Sequence, residues 1–145
     1  MGKIFAVREN TLAILEKRYI KSKHYIFINE LVDDDLYDQR LYNSVVNLSK
    51  KMDVGILPVV LHCNSEELVK RVQSEERYQE NKITDSDFAM KKTKGRRLFV
   101  PEGSLESDNS NLSAEEVAKK IVESMKGWKK LVETSVNNLT KRTRG

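Results

Sequence analysis

The chain has 145 residues, 39% hydrophobic and 33% charged, with 26 Lys and Arg against 22 Asp and Glu and a net charge of +4. That length suits one domain with a real core, and two Pro and six Gly are too few for a low-complexity chain. A lone Cys63 excludes an intrachain disulfide, only His24 and His62 are present for a histidine metal cluster, and no apolar run nears the roughly 18 residues of a membrane span. Met1-Gly2 is followed by Ala6 where a myristoylation signal needs Ser or Thr. The N-x-[ST] triplets at Asn47, Asn111 and Asn138 carry no meaning without secretion, so the expected location is cytoplasmic.

In chain order, helical spacing of Ile4, Arg8, Thr11, Leu12, Leu15 and Tyr19 predicts a helix over 3–20. The run His24-Tyr25-Ile26-Phe27-Ile28-Asn29 reads as a short buried strand. Asp33-Asp34-Asp35 supplies N-cap chemistry for a helix over about 36–52, with Leu41, Val45, Leu48 and Met52 on its apolar face. A second strand is expected over Ile56–His62, with Pro58 best placed near its start because it cannot donate to a ladder. Asn64-x-x-Glu67 opens a helix through Val72. Residues 74–101 are highly charged with weak periodicity. A short last strand is expected within 104–108. Ser113-x-x-Glu116 then opens a long helix lined by Val117, Ile121, Met125, Trp128 and Val132, ahead of a flexible tail at 139–145. Alternating helices and strands imply right-handed crossovers and a parallel sheet. The expected fold is therefore α/β, a three-layer α/β/α single domain with a short sheet.

The stretch His62-Cys63-Asn64-Ser65-Glu66-Glu67-Leu68-Val69-Lys70-Arg71-Val72 is a strand, a polar turn and then S-x-E-L-x-x-R-V. Ser74-Glu75-Glu76-Arg77, Asn81-Lys82-Ile83-Thr84-Asp85 and Leu98-Phe99-Val100-Pro101 follow it, and Asp108-Asn109-Ser110-Asn111-Leu112-Ser113 stands further on. In order and spacing these segments resemble the rear two-thirds of small P-loop kinases, the AAA-type ATP-binding proteins related to shikimate and gluconate kinases. The resemblance spans about 5–125.

It implies a P-loop NTPase-like but incomplete fold, a lid at 74–101 that closes over ATP phosphates, and phosphotransferase chemistry by descent. By that resemblance Arg71 and Arg77 are lid arginines, Lys82 is a weaker phosphate contact, and Asn109 and Ser110 form the adenine-side loop. The planar fork of Arg suits the charge on a transferring phosphoryl group. A plain ion pair between Arg71 and Glu67 at i−4 accounts for that residue equally well, and Arg77 and Lys82 also fit a solvated run with Glu75, Glu76 and Glu80.

The departure is the phosphate loop. No G-x-x-x-x-G-K-[ST] occurs, and the only Gly-Lys pair, Gly2-Lys3, is followed by Ile4. A P-loop cradles phosphates with backbone N–H groups, reaches them with Lys and binds Mg²⁺ through its hydroxyl. The expectation is a truncated or degenerate kinase-like protein that binds ATP and Mg²⁺ weakly or not at all and is not catalytic as this chain alone. Its partner is expected to be a second copy, or a chain that supplies the missing N-terminal half. A non-enzymatic interaction module on the same scaffold is the competing reading. A basic nucleic-acid-binding domain is a further one, resting on Lys91-Lys92-Thr93-Lys94-Gly95-Arg96-Arg97, with Phe99 the one nearby aromatic for stacking.

Overall fold

The computed structural model describes residues 3–127. The expected outer face of Trp128 and Val132 and the tail at 139–145 lie outside them. The architecture is mixed α/β, about half helical, with one two-stranded parallel sheet. The elements are α1 (Lys3–Arg18), α2 (Leu36–Lys51), β1 (Val59–His62), α3 (Ser65–Val72), α4 (Glu75–Gln79), α5 (Ser86–Thr93), β2 (Leu105–Asp108) and a helix α6 over 114–127. They fall into two compact units. One holds Met1–Ile56 with Gly95–Val100, the other Leu57–Lys94 with the residues from Pro101 onward.

In the first unit α1 packs against α2. Leu12 on α1 and Leu41 and Leu48 on α2 are buried, which is the face that the spacing of Leu41, Val45, Leu48 and Met52 predicts. Polar contacts flank this seam, from the Ser44 hydroxyl to Glu9 (3.1 Å) and from Lys51 to Glu16 (3.5 Å). Asp35 caps α2 as expected, its carboxylate accepting from the N–H groups of Tyr37 (2.8 Å) and Asp38 (3.3 Å). The Asp38 side chain reaches back to the Val32 N–H (2.8 Å). A short antiparallel bridge joins Val32 to Leu98, where the Phe99 N–H donates to the Leu31 carbonyl and the Asp33 N–H to that of Arg97. Tyr42 and Phe99 meet edge to face beside it.

The run at 24–29 is a correction. It is not a buried strand. It carries no ladder, and Ile26 and Ile28 are 85% and 91% exposed. Strand propensity describes how well side chains suit a half-buried pleated surface, and a β-rich run without a neighbouring strand forms no sheet.

In the second unit β1 and β2 pair in parallel, Val59 beside Leu105 through His62 beside Asp108. Parallel neighbours need a long crossover, and the chain between them holds α3, α4 and α5. The strand is shorter than Ile56–His62, and Pro58 explains the start. Its carbonyl accepts from the Leu105 N–H (2.9 Å), while its ring nitrogen, with no proton, stands one residue before the strand. β2 is entered through a tight turn in which Ser104 N–H returns to the Pro101 carbonyl (3.2 Å). Gly103 sits in the third position of that turn at φ +75°, where a side chain would be strained.

The charged stretch after Val72 is more ordered than its weak periodicity suggests. Ser74 caps α4 and Asp85 caps α5 through the Phe88 N–H (3.0 Å), so local capping sets helices that no apolar stripe announces. At α6 the capping box is reciprocal. Ser113 N–H donates to Glu116 Oε2 (2.7 Å), and Glu116 N–H donates to Ser113 Oγ (3.2 Å). Among the described residues, Val60, Val72 and Val117 are the buried apolar side chains of this unit. No helix among the described residues is long and apolar enough to cross a membrane.

Candidate functional site

The C-terminal ends of β1 and β2 are tied together by polar groups from the two turns that follow them. In open α/β sheets ligands bind outside this edge. The Asn109 N–H donates to the His62 carbonyl (2.8 Å), which carries the ladder one residue past β2. Ser110 is buried, and its hydroxyl donates to Asp108 Oδ1 (2.6 Å) and accepts from the Asn64 N–H (2.8 Å). Asn64 in turn caps α3 through the Glu67 N–H (2.8 Å). The Glu67 carboxylate does not close the box back onto Asn64, because it receives Arg71 Nε instead (2.7 Å).

Arg71 links this knot to the surface. One Nη donates to the Asn109 carbonyl at 2.6 Å. With the Asn109 amide oriented to suit its neighbours, its nitrogen donates to the His62 carbonyl and its oxygen accepts from the other Arg71 Nη (3.2 Å). Arg71 therefore spends its fork on Glu67 and on the turn after β2.

Beyond it lies an open hollow of about 470 Å³ lined by Glu67, Lys70, Arg71, Ser74, Glu76, Arg77, Glu80 and Lys82. Arg71, Arg77 and Lys82, singled out in the sequence, all line it. Asn109 and Ser110 do not. They belong to the knot behind Arg71, and Ser110 has both hydroxyl functions engaged there. The hollow sets four cations against three carboxylates. Lys82 is paired with Glu80, and both the hydrogen bond and the charge of Lys82 hold the Glu80 carboxyl below its usual value. Arg77 gives its Nε–H to the Ile83 carbonyl (3.3 Å). Neither Arg77 nor Lys70 has an ion pair within 4 Å among the described residues, although the Arg77 charge also helps to hold the Glu80 carboxyl down. Such a surface can receive a phosphate-like anion. It offers no metal cage, since no cluster of three or more His, Cys, Asp or Glu able to hold a metal ion occurs among the described residues.

Sequence reasoning missed Lys70 and Ser74 as partners of the arginines at one hollow. Lys70 stands on α3 and Arg77 on the short α4 that the Ser74 cap sets, and both line the one hollow. It also missed the cross-strand pair of His62 Nε2 with Glu106 Oε2 (3.1 Å), for which an unpaired strand offers no signal. In the basic run, Arg97 is engaged by Asp33 (2.5 Å) and by Asp34 (4.0 Å), which draws one of its charges away from any nucleic acid. No family model matches the chain, and neither a curated protein nor a solved structure shows significant similarity to it.

The knot has a pH signature. Hydrogen bonds from the Ser110 hydroxyl and N–H hold the Asp108 carboxyl below its usual value of 3.8. A carboxylate whose folded pKa is depressed adds stability above its unfolded pKa and loses it as pH falls through the folded value. The expected result is that wild type exceeds Asp108→Asn in urea midpoint at neutral pH, and that the gap closes on acidification through and below 3.8. A gap that stays constant across that range contradicts the assignment.

Proposed function

We propose that this chain is a P-loop kinase-like ATP-binding protein without a phosphate loop, a small-molecule phosphotransferase by descent that is not catalytic as this chain alone. The observation that carries the reading is the meeting of Arg71, Arg77 and Lys82 with Lys70 at one hollow, which Arg71 joins to the turn after β2. Arg71 and Arg77 are the residues that the resemblance marks as lid arginines and Lys82 is its weaker phosphate contact, while Lys70 joins them at the hollow without being marked by it, and α3–α5 form the crossover in which such a lid would lie. The finer architecture, a three-layer P-loop NTPase-like fold, is part of the same proposal, as is a cytoplasmic location.

The hollow fits the phosphates of a nucleotide through its cations. Among the described residues no group of three or more His, Cys, Asp or Glu stands together to hold a metal ion. Without a phosphate loop, positioning of the transferring group is lost, and with it most of the catalytic effect. Calorimetric titration with tripolyphosphate and with Mg-ATP tests this. Tripolyphosphate is expected to bind at about millimolar strength, and the double variant Lys70→Ala/Arg77→Ala to weaken it about threefold to tenfold, the range for charged contacts discounted for exposure. Mg-ATP is expected to bind no tighter and without turnover. Micromolar binding with hydrolysis would place a phosphate site elsewhere in the chain, and binding indifferent to the double variant would remove the hollow from the reading.

A further inference from the structure

We propose that residues 24–29 form a strand by pairing antiparallel with the same residues of a second copy of this chain. This does not rest on the phosphate reading, which concerns the other unit. The segment is apolar and β-rich, yet no backbone N–H or C=O of residues 24–29 has a partner among the described residues. Unpaired backbone beside an apolar face is the template on which another strand adds.

The segment is held ready at both ends. Tyr25 is fixed by its hydroxyl, which accepts from the Ile20 N–H (3.0 Å), and by its ring against Tyr19. At the other end Leu31 and Asp33 are bonded to Phe99 and Arg97. Between the anchors exposure alternates with the period of a strand. Tyr25 and Phe27 are half-covered, while Ile26 and Ile28 stand almost wholly in water.

Charge selects the occupant and its direction. Lys21 and Lys23 precede the apolar run, and Glu30, Asp33, Asp34 and Asp35 follow it. An antiparallel copy sets the basic flank of each against the acidic flank of the other, whereas a parallel copy sets like against like. The pattern also selects the register. Centring the pair on Phe27 places Ile26 opposite Ile28 of the second copy and gathers all four exposed isoleucines on one face. It also places His24 opposite Glu30. Leu31 and Asp33 already use the edge that faces 97–99, so the alternate residues Ile26 and Ile28 present their N–H and C=O to the open edge. They would exchange bonds with each other's copies, and Phe27 would meet Phe27 in the close, non-bonded pair. The result is an isologous two-fold contact.

A ribbon of two short strands is a weak association, so the experiment is light scattering of the whole chain from micromolar to millimolar concentration. The mass is expected to climb from 16.8 kDa toward twice that value. Ile26→Lys/Ile28→Lys is expected to hold it at the single-chain mass throughout. Both positions are exposed, so the variant should keep the wild-type circular dichroism melt at low concentration, which separates lost pairing from lost folding. In a Cys63→Ser background, Phe27→Cys is expected to give a disulfide-linked dimer under mild oxidation in higher yield than Ile26→Cys. A wild-type chain that stays at its single mass, or a dimer that survives the double substitution, overturns the proposal. A better yield from Ile26→Cys overturns the register.

Discussion

Leu41→Ala is expected to lower the stability of the chain by about 3 kcal/mol, the middle of the range for truncating a buried Leu. Leu41 is 4% exposed on the inner face of α2, and among the described residues it makes up the buried apolar set of its unit with Leu12 and Leu48. Removing its branched end takes apolar area out of the seam and leaves a hole that α1 cannot wholly fill. The loss is large against the roughly 5–15 kcal/mol that holds a typical domain together. Urea denaturation followed by circular dichroism measures it. Leu36→Ala, on the same helix but 71% exposed, serves as the control and should change stability by less than about 0.5 kcal/mol. A loss at Leu41 as small as the control's would mean that α1 and α2 do not pack through this face.

Arg71→Met is expected to cost about 1–2 kcal/mol. A charged hydrogen bond contributes about 1.5–3 kcal/mol, and the figure is reduced because the side chain is 37% exposed to screening water. The substitution leaves the Asn109 carbonyl without its 2.6 Å donor and Glu67 without its partner. Arg71→Lys should recover only part of the loss, since an ammonium cannot bridge Glu67 and Asn109 with one planar fork. Amide exchange gives an independent reading, because the Asn109 N–H bonded to His62 should exchange faster in Arg71→Met. Arg77→Met, which breaks a 3.3 Å bond to the Ile83 carbonyl and removes an exposed charge near Glu80, should leave stability within about 0.5 kcal/mol while weakening anion binding. The two arginines thus separate by measurement. One fastens the turn after β2, and the other lines the hollow proposed to receive an anion. Equal stability losses at both would erase that distinction.

Local chemistry made much of this legible in the sequence. The caps at Asp35 and Asn64, the reciprocal box of Ser113 and Glu116, and the awkwardness of Pro58 at a strand start are all decided by residues within four positions of one another. The stripe of Leu41 and Leu48 is equally local, because a helix brings its own face together. Strand pairing is not local. The composition of 24–29 and of 59–62 looks much alike, and only a distant neighbour makes one of them a ladder, as β2 does for β1. The arginines could be marked by their type and order, but the division of labour between Arg71 and Arg77 could not. It depends on Asn109, far along the chain, arriving beside α3. His62 and Glu106 met unannounced for the same reason.

The segment Gly95–Val100 has a consequence for how the chain can come apart. It lies in sequence inside the stretch that builds the second unit, yet its contacts belong to the first, through Phe99 with Leu31 and Tyr42 and through Arg97 with Asp33. No single cut of the polypeptide can therefore yield both units whole. A break near Ile56 strips the first of its bridge partner at Leu98 and of the ring against Tyr42. Each unit is thus assembled from two separate stretches of the chain, which alternate in sequence.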